Sequence, residues 1–203
     1  MATNTIDFGK IYETTNFGNG VDDNTIDWGK VYKNLGGETK FVFSVQTDNA
    51  GTSNDDQFTL PLITSTDLDI TVEWGDGNSD SISDHTASEV THTYASAGEY
   101  TIKIDGTLRG FQFNDDGDKL KIKDVSNWGV MRFDVKSAFK GCANLTCTAT
   151  DKVTVIGADL EFTFAECTNF NGAIGNWDVS NVTKMAAIFR GNSLFNQNIG
   201  NWD

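Results

Sequence analysis

The chain has 203 residues, enough for two small domains and an arm, so two cores are to be looked for. Twenty Gly, one Pro, 14 Phe and 5 Trp at 38% hydrophobic content describe a folded chain rich in turns and aromatics, which excludes a disordered one. Fifteen Lys and Arg against 29 Asp and Glu give a formal charge of −14, which repels phosphate backbones and anionic headgroups and removes nucleic acid and membrane surfaces from the expected partners.

The first element is a repeat. Asn4-Thr-Ile-Asp-Phe-Gly-Lys-Ile-Tyr12 recurs 20 residues later as Asn24-Thr-Ile-Asp-Trp-Gly-Lys-Val-Tyr32 with only conservative changes. Each copy alternates apolar and polar residues too briefly to bury a core of its own. Residues 1–36 are therefore expected to be an extended arm, either a strand pair that folds back on the next domain or a segment that docks on a partner protein. Repeats of the form Asn-Thr-Ile-Asp-Trp-Gly resemble those near the start of some tailed-phage structural proteins, which implies attachment to other virion proteins of a capsid or tail. The opening Met1-Ala-Thr-Asn-Thr-Ile-Asp has neither a basic region nor an apolar stretch, so the expectation is synthesis in the cytoplasm without export.

After Gly36-Gly37, the runs at 41–45, 57–60, 70–74 and 100–104 read as short strands from their alternation and β-branched content. Gly, Asn, Asp and Ser fill the turns between them, a pattern that predicts an antiparallel sandwich over residues 37–108. Within it, Trp74-Gly-Asp-Gly77, His92-Thr-Tyr94 and Gly98-Glu-Tyr-Thr-Ile102 stand in an order that resembles the polycystic-kidney-disease (PKD) domain family, an immunoglobulin-like β-sandwich. That resemblance implies a spacer or a module facing proteins or carbohydrates. Asp76 and His92 invite an acid–base reading, yet no nucleophile or third group accompanies them, so the Gly-Asp-Gly is read as turn chemistry.

From residue 109 to 203 the pattern acquires a 25-residue step. Phe139, Phe164 and Phe189 keep it, as do Leu120, Leu145, Phe170 and Phe195, and Val135, Leu160 and Met185. Trp177 pairs with Trp202, Ile174 with Ile199, and Cys142 with Cys167 at the same step. A unit of this length predicts a short leucine-rich-repeat-like solenoid with coils about 4.8 Å apart. Ile174-Gly-Asn-Trp-Asp-Val-Ser-Asn-Val-Thr-Lys-Met185, followed by Phe189 and Ser193-Leu-Phe-Asn-Gln-Asn-Ile199, resembles the BspA-type leucine-rich repeats of bacterial surface proteins. Its implication is adhesion to a host surface protein or glycan. Since the sequence stops just inside the next unit, either further repeats or another subunit are expected to cover that end, and a homo-oligomer is the expected state.

No residue is expected to be catalytic, to hold a cofactor or to ligate a metal. Asn114-Asp-Asp-Gly-Asp118 suggests a calcium loop but lacks the twelfth-position ligand, and it reads as a hairpin turn. Cys142, Cys147 and Cys167 are odd in number and lack metal-ligand spacing, so they are read as small buried free thiols. Trp177 and Trp202 are candidates for stacking on sugar rings, with core packing at the repeat boundary the preferred reading. The overall expectation is a mainly β protein of three parts, with no enzymatic activity: a virion fibre or capsid decoration protein, or alternatively a bacterial surface adhesin.

Overall fold

A computed structural model describes residues 39–157 and 159–202; the expected arm, residues 1–36, lies outside the described residues. The described chain is mainly β, with ten strands and a single short 3-10 turn at Ser88–Val90. Strand β1 (Phe41–Gln46) has Phe41, Val42, Phe43 and Val45 all buried rather than alternating. The reason is its central position, with neighbours along both edges and apolar side chains on both faces. Strands β2 (Gln57–Thr59), β3 (Asp69–Glu73), β4 (Ser79–Ile82), β5 (Thr91–Thr93), β6 (Glu99–Thr107) and β7 (Ile122–Asn127) follow. Three strands of two residues each complete the set: β8 (Arg132–Phe133), β9 (Thr146–Cys147) and β10 (Thr154–Val155). β1, β2, β3 and β6 fall on the four runs whose alternation marked them as strands.

Six strands form one sheet in the order β4-β3-β6-β1-β7-β9. Its pairings are antiparallel except β7 with β9, which is parallel. β3 and β6 each send alternate residues inward, Ile70 and Val72 from one and Ile102 and Ile104 from the other. β1 meets β6 in continuous register, but its pairing with β7 slips between Val42 and Phe43 and again between Ser44 and Val45, the signature of bulges that bend the sheet there. β2 and β5 make a separate antiparallel pair, and Phe58 of β2 brings its ring to 6.0 Å from Phe43 of β1. β8 and β10 make a parallel pair.

Because β1 lies between β6 and β7, the sheet runs through the position 108/109 at which a second domain was expected. Thr39–Asp203 is a single compact unit with one apolar core. Ring contacts trace that core from end to end. Phe41 stacks on Trp128 at 6.1 Å, Trp128 meets Phe139 edge-on at 5.8 Å, and Phe139, Phe164 and Phe189 stack in turn at 5.8 and 6.1 Å. Beside them run the stacked pairs Phe170–Phe195 at 6.2 Å and Trp177–Trp202 at 6.5 Å. Aromatic rings in contact at these separations add attraction beyond the area they bury.

A buried ion pair ties the loop before β2 to the turn before β7. Asp118 accepts the backbone N–H groups of Thr52, Ser53 and Thr59 and the Ser53 hydroxyl, at 2.7 to 3.0 Å. Lys121 Nζ donates to the carbonyls of Ser53, Asn54 and Gln57 and to Ser53 Oγ, at 2.7 to 3.2 Å. Both side chains are fully buried, and every donor and acceptor around them is used, the condition under which buried charge is tolerated. Gly51 is required beside them, since a Cβ there would stand 2.4 Å from Asp118 Oδ1 and 2.6 Å from Lys121 Cε.

Phe164 is wholly buried and touches Phe133, Phe139, Phe170, Trp177 and Phe189. Replacing it with Ala is expected to cost about 3 to 5 kcal/mol through the cavity left among those rings. Urea unfolding of wild type and variant would measure this, and a loss under about 1 kcal/mol would mean the rings are not tightly packed.

Candidate functional site

The WGDG turn and the later His-x-Tyr come together on one edge of the large sheet. Trp74 N–H is held by Asn78 O, Gly75 has φ +89°, and a Cβ on Gly75 would lie 2.5 Å from Thr101 O, so only glycine lets the turn sit against β6. Asp76 then caps its own turn, accepting Asn78 N–H at 3.0 Å and Asn78 Nδ2 at 2.9 Å. His92 lies with its Nε2 2.8 Å from Asp76 Oδ2 and its ring stacked on Trp74 at 4.8 Å, while Tyr94 meets it edge-on at 4.6 Å. Trp74 Nε1 donates to Asp80, and Tyr94 donates its hydroxyl to Trp74 O.

Both Asp76 oxygens, the Trp74 indole N–H, the Tyr94 hydroxyl and His92 Nε2 thus have internal partners. Burial pushes the Asp76 carboxyl upward, but the hydrogen bonds from His92 and Asn78 outweigh it and hold it below the usual carboxylate range. Burial pushes the Tyr94 hydroxyl well above its ordinary value. Around the pair stand the Trp74 indole, the Asn78 amide and the Tyr94 phenol. The arrangement is a clasp that fastens β5 to the β3–β4 turn.

The acidic loop divides its carboxylates. Asp115 pairs with Lys119, whose hydrogen bond holds its carboxyl below the usual range, and Asp118 turns inward to the buried pair with Lys121. Among the described residues no group of three or more His, Cys, Asp and Glu could hold a metal ion. Asn114 and Asp115 have φ of 49° and 68°, and Gly117 of 64°, a tight left-handed turn.

Of the two candidate sugar-stacking residues, Trp177 is 3% exposed and packs edge-on against Trp128 at 5.3 Å, so it is a core residue. Trp202 is half-buried, stacks on Trp177 and donates its indole N–H to Ile174 O at 3.2 Å. Both of its ring's functions are thereby occupied. Sequence reasoning did not single out Phe162. Its ring lies between Lys140 Nζ, 5.9 Å from the centroid, and Arg190 Cζ, 5.3 Å away. The signal available was its lack of any place in the apolar columns: Ser137 and Ala187 stand 25 residues to either side.

Residues 133–203 match the family model described as "Mycoplasma protein of unknown function, DUF285". No curated protein and no solved structure matches the chain. The matched segment includes Phe133 of β8, all of β9 and β10, the stacked rings from Phe139 onward and all three cysteines.

Those cysteines are free thiols, Cys142 and Cys167 buried and Cys147 half-buried. Cys167 Sγ donates to Phe139 O at 2.9 Å, and Cys147 packs against Gly172. Burial pushes the Cys147 and Cys167 thiols up to about 12 and Cys142 well above its ordinary value.

Two predictions follow from these geometries. Asp76→Asn is expected to destabilise the protein by about 1 to 2 kcal/mol at neutral pH by removing a charged hydrogen bond. Because the folded carboxyl is held below its unfolded value, the difference persists above pH ~4 and fades as pH falls through the folded value, which thermal melts of both proteins between pH 7 and 2 would record. Second, a thiol raised from 9.0 to about 12 has about 1,000-fold less thiolate near neutral pH, so alkylation should be slow in the native protein and fast in urea. Rapid native labelling of Cys167 would contradict its burial.

Proposed function

We propose that this protein is a structural component of a tailed-phage virion, a fibre or capsid decoration protein, held by its duplicated arm and presenting a short solenoid outward for binding. The observation that carries the reading is the joining of two unlike parts: a repeated segment too short to form a core and a β unit whose buried charges and surface clasps are spent on its own structure. An enzyme needs reactive groups left free, whereas a particle component needs a rigid body and an attachment.

On this reading residues 37–108 are the PKD-like, immunoglobulin-like sandwich and residues 109–203 a solenoid with a 25-residue period. Support for the period comes from the backbone. Phe139 and Gly141 donate N–H groups to Thr163 and Ala165, and Phe164 and Glu166 donate in the same sense to Ile188 and Arg190, each 24 residues on. Left-handed φ recurs at Ser137, Phe162 and Ala187 (58°, 58° and 55°) and at Gly141, Glu166 and Gly191 (83°, 61° and 72°). The ring columns keep the same step.

A second reading, a bacterial surface adhesin for host protein or glycan, draws support from the match at 133–203, whose description belongs to a cellular bacterium and whose residues include those resembling BspA-type repeats. The two differ in what the arm does. Deleting residues 1–36 should leave the thermal midpoint of the remaining unit unchanged and abolish incorporation into virions, scored by protein composition of purified particles. Truncated protein incorporated at wild-type copy number would overturn the anchor assignment.

A further inference from the structure

Phe162 is a large aromatic that belongs to none of the apolar columns. It is half-buried, lies outside the apolar core, and adopts φ 58°, a left-handed conformation that is unfavourable for a phenylalanine. The same place in the neighbouring coils is taken by Ser137 and Ala187, so the backbone geometry does not call for an aromatic.

Its surroundings indicate a chemistry. Lys140 comes from the coil before and Arg190 from the coil after, which puts a cation on each side of the ring. A ring with cations over its faces turns outward its rim, the electropositive part of an aromatic quadrupole. No acceptor engages the Lys140 ammonium among the described residues. Arg190, with a side chain 56% exposed, meets Glu166 through Nε at 3.4 Å, which leaves the outer guanidinium nitrogens for a second carboxylate. Asp115 is nearby but is held by Lys119. Of the carboxylates there, Asp115 and Glu166 are each met by a cation, Lys119 and Arg190.

We infer that Lys140, Phe162 and Arg190 form a docking point for a carboxylate-bearing polysaccharide. Two coils separate the cations, about 10 Å at strand spacing, so they suit two carboxylates on one stiff ribbon with a sugar ring against the Phe162 rim between them. An extended acidic peptide fits less well, because the backbone beneath it is already paired: Phe162 N–H donates to Ala186 O, and Phe162 O accepts from Ala165. That leaves nothing to hold a peptide main chain. The inference rests on the stacked-coil reading and names the ligand of that surface.

The test is binding of the purified full chain to polygalacturonate, with dextran and polyglutamate as controls, at low and at physiological salt. Wild type should bind polygalacturonate, more weakly as salt rises. Phe162→Ser should weaken binding at least 10-fold without lowering the thermal midpoint, and the double variant K140Q/R190Q should abolish it. No binding, equal binding to dextran, or polyglutamate bound as tightly would overturn the proposal; so would a large fall in the F162S midpoint, which would make Phe162 a structural residue. Particle incorporation is scored separately, so failure here leaves the virion reading standing and failure there leaves this one.

Discussion

The structure depends on a continuous line of packed rings. Phe43, Phe41, Trp128, Phe139, Phe164 and Phe189 link the sheet to the far end of the chain through contacts of about 5 to 6 Å. A 203-residue chain with no helix longer than one 3-10 turn among its described residues has few ways to build a thick core, and stacked aromatics supply large buried area per residue. Short strands of two or three residues suffice at the periphery because the rings, rather than long ladders, hold the layers together.

Polar groups are organised around the same line. Asp118 and Lys121 close the side of the sheet on which the loop before β2 lies, and the Trp74–Asp76–His92–Tyr94 clasp fastens β5 to the β3–β4 turn. In both, a carboxylate and its partner side chain form hydrogen bonds to neighbouring backbone and side chains. Both clusters fasten loops and turns to the strands, the kind of rigidity that the proposed structural role calls for.

Much of this was legible in the sequence, for definite reasons. Alternation and β-branched content marked β1, β2, β3 and β6, and the 25-residue recurrence of Phe139, Phe164 and Phe189 marked residues that stack. β7 was not legible: Ile122-Lys-Asp-Val-Ser-Asn127 buries only Ile122 and Val125, and its pairing with β1 is set by bulges that no local pattern announces. Nor was the Asp118–Lys121 clasp, because charges in an acidic, Gly-containing turn look like solvated surface. Trp177 read by preference as core packing at the repeat boundary and is buried, but its partner Trp128, 49 positions away, is one that only the tertiary fold provides. The clasp residues were visible as a motif, yet their division of labour, with His92 stacked on one member and hydrogen-bonded to another, needed coordinates.

The central claim is that the sheet and the stacked segments share one core and open together. Native-state hydrogen exchange measures this directly, by comparing amides of β1 and β6 with the amides of Phe139, Gly141, Phe164 and Glu166, which donate from one segment to the next. A single cooperative unit predicts that both sets exchange with the same opening free energy, equal to that of global unfolding. Amides at Phe139 and Phe164 that exchange several kcal/mol more readily than those of β1 would contradict it, and would mean that the stacked segments unfold on their own.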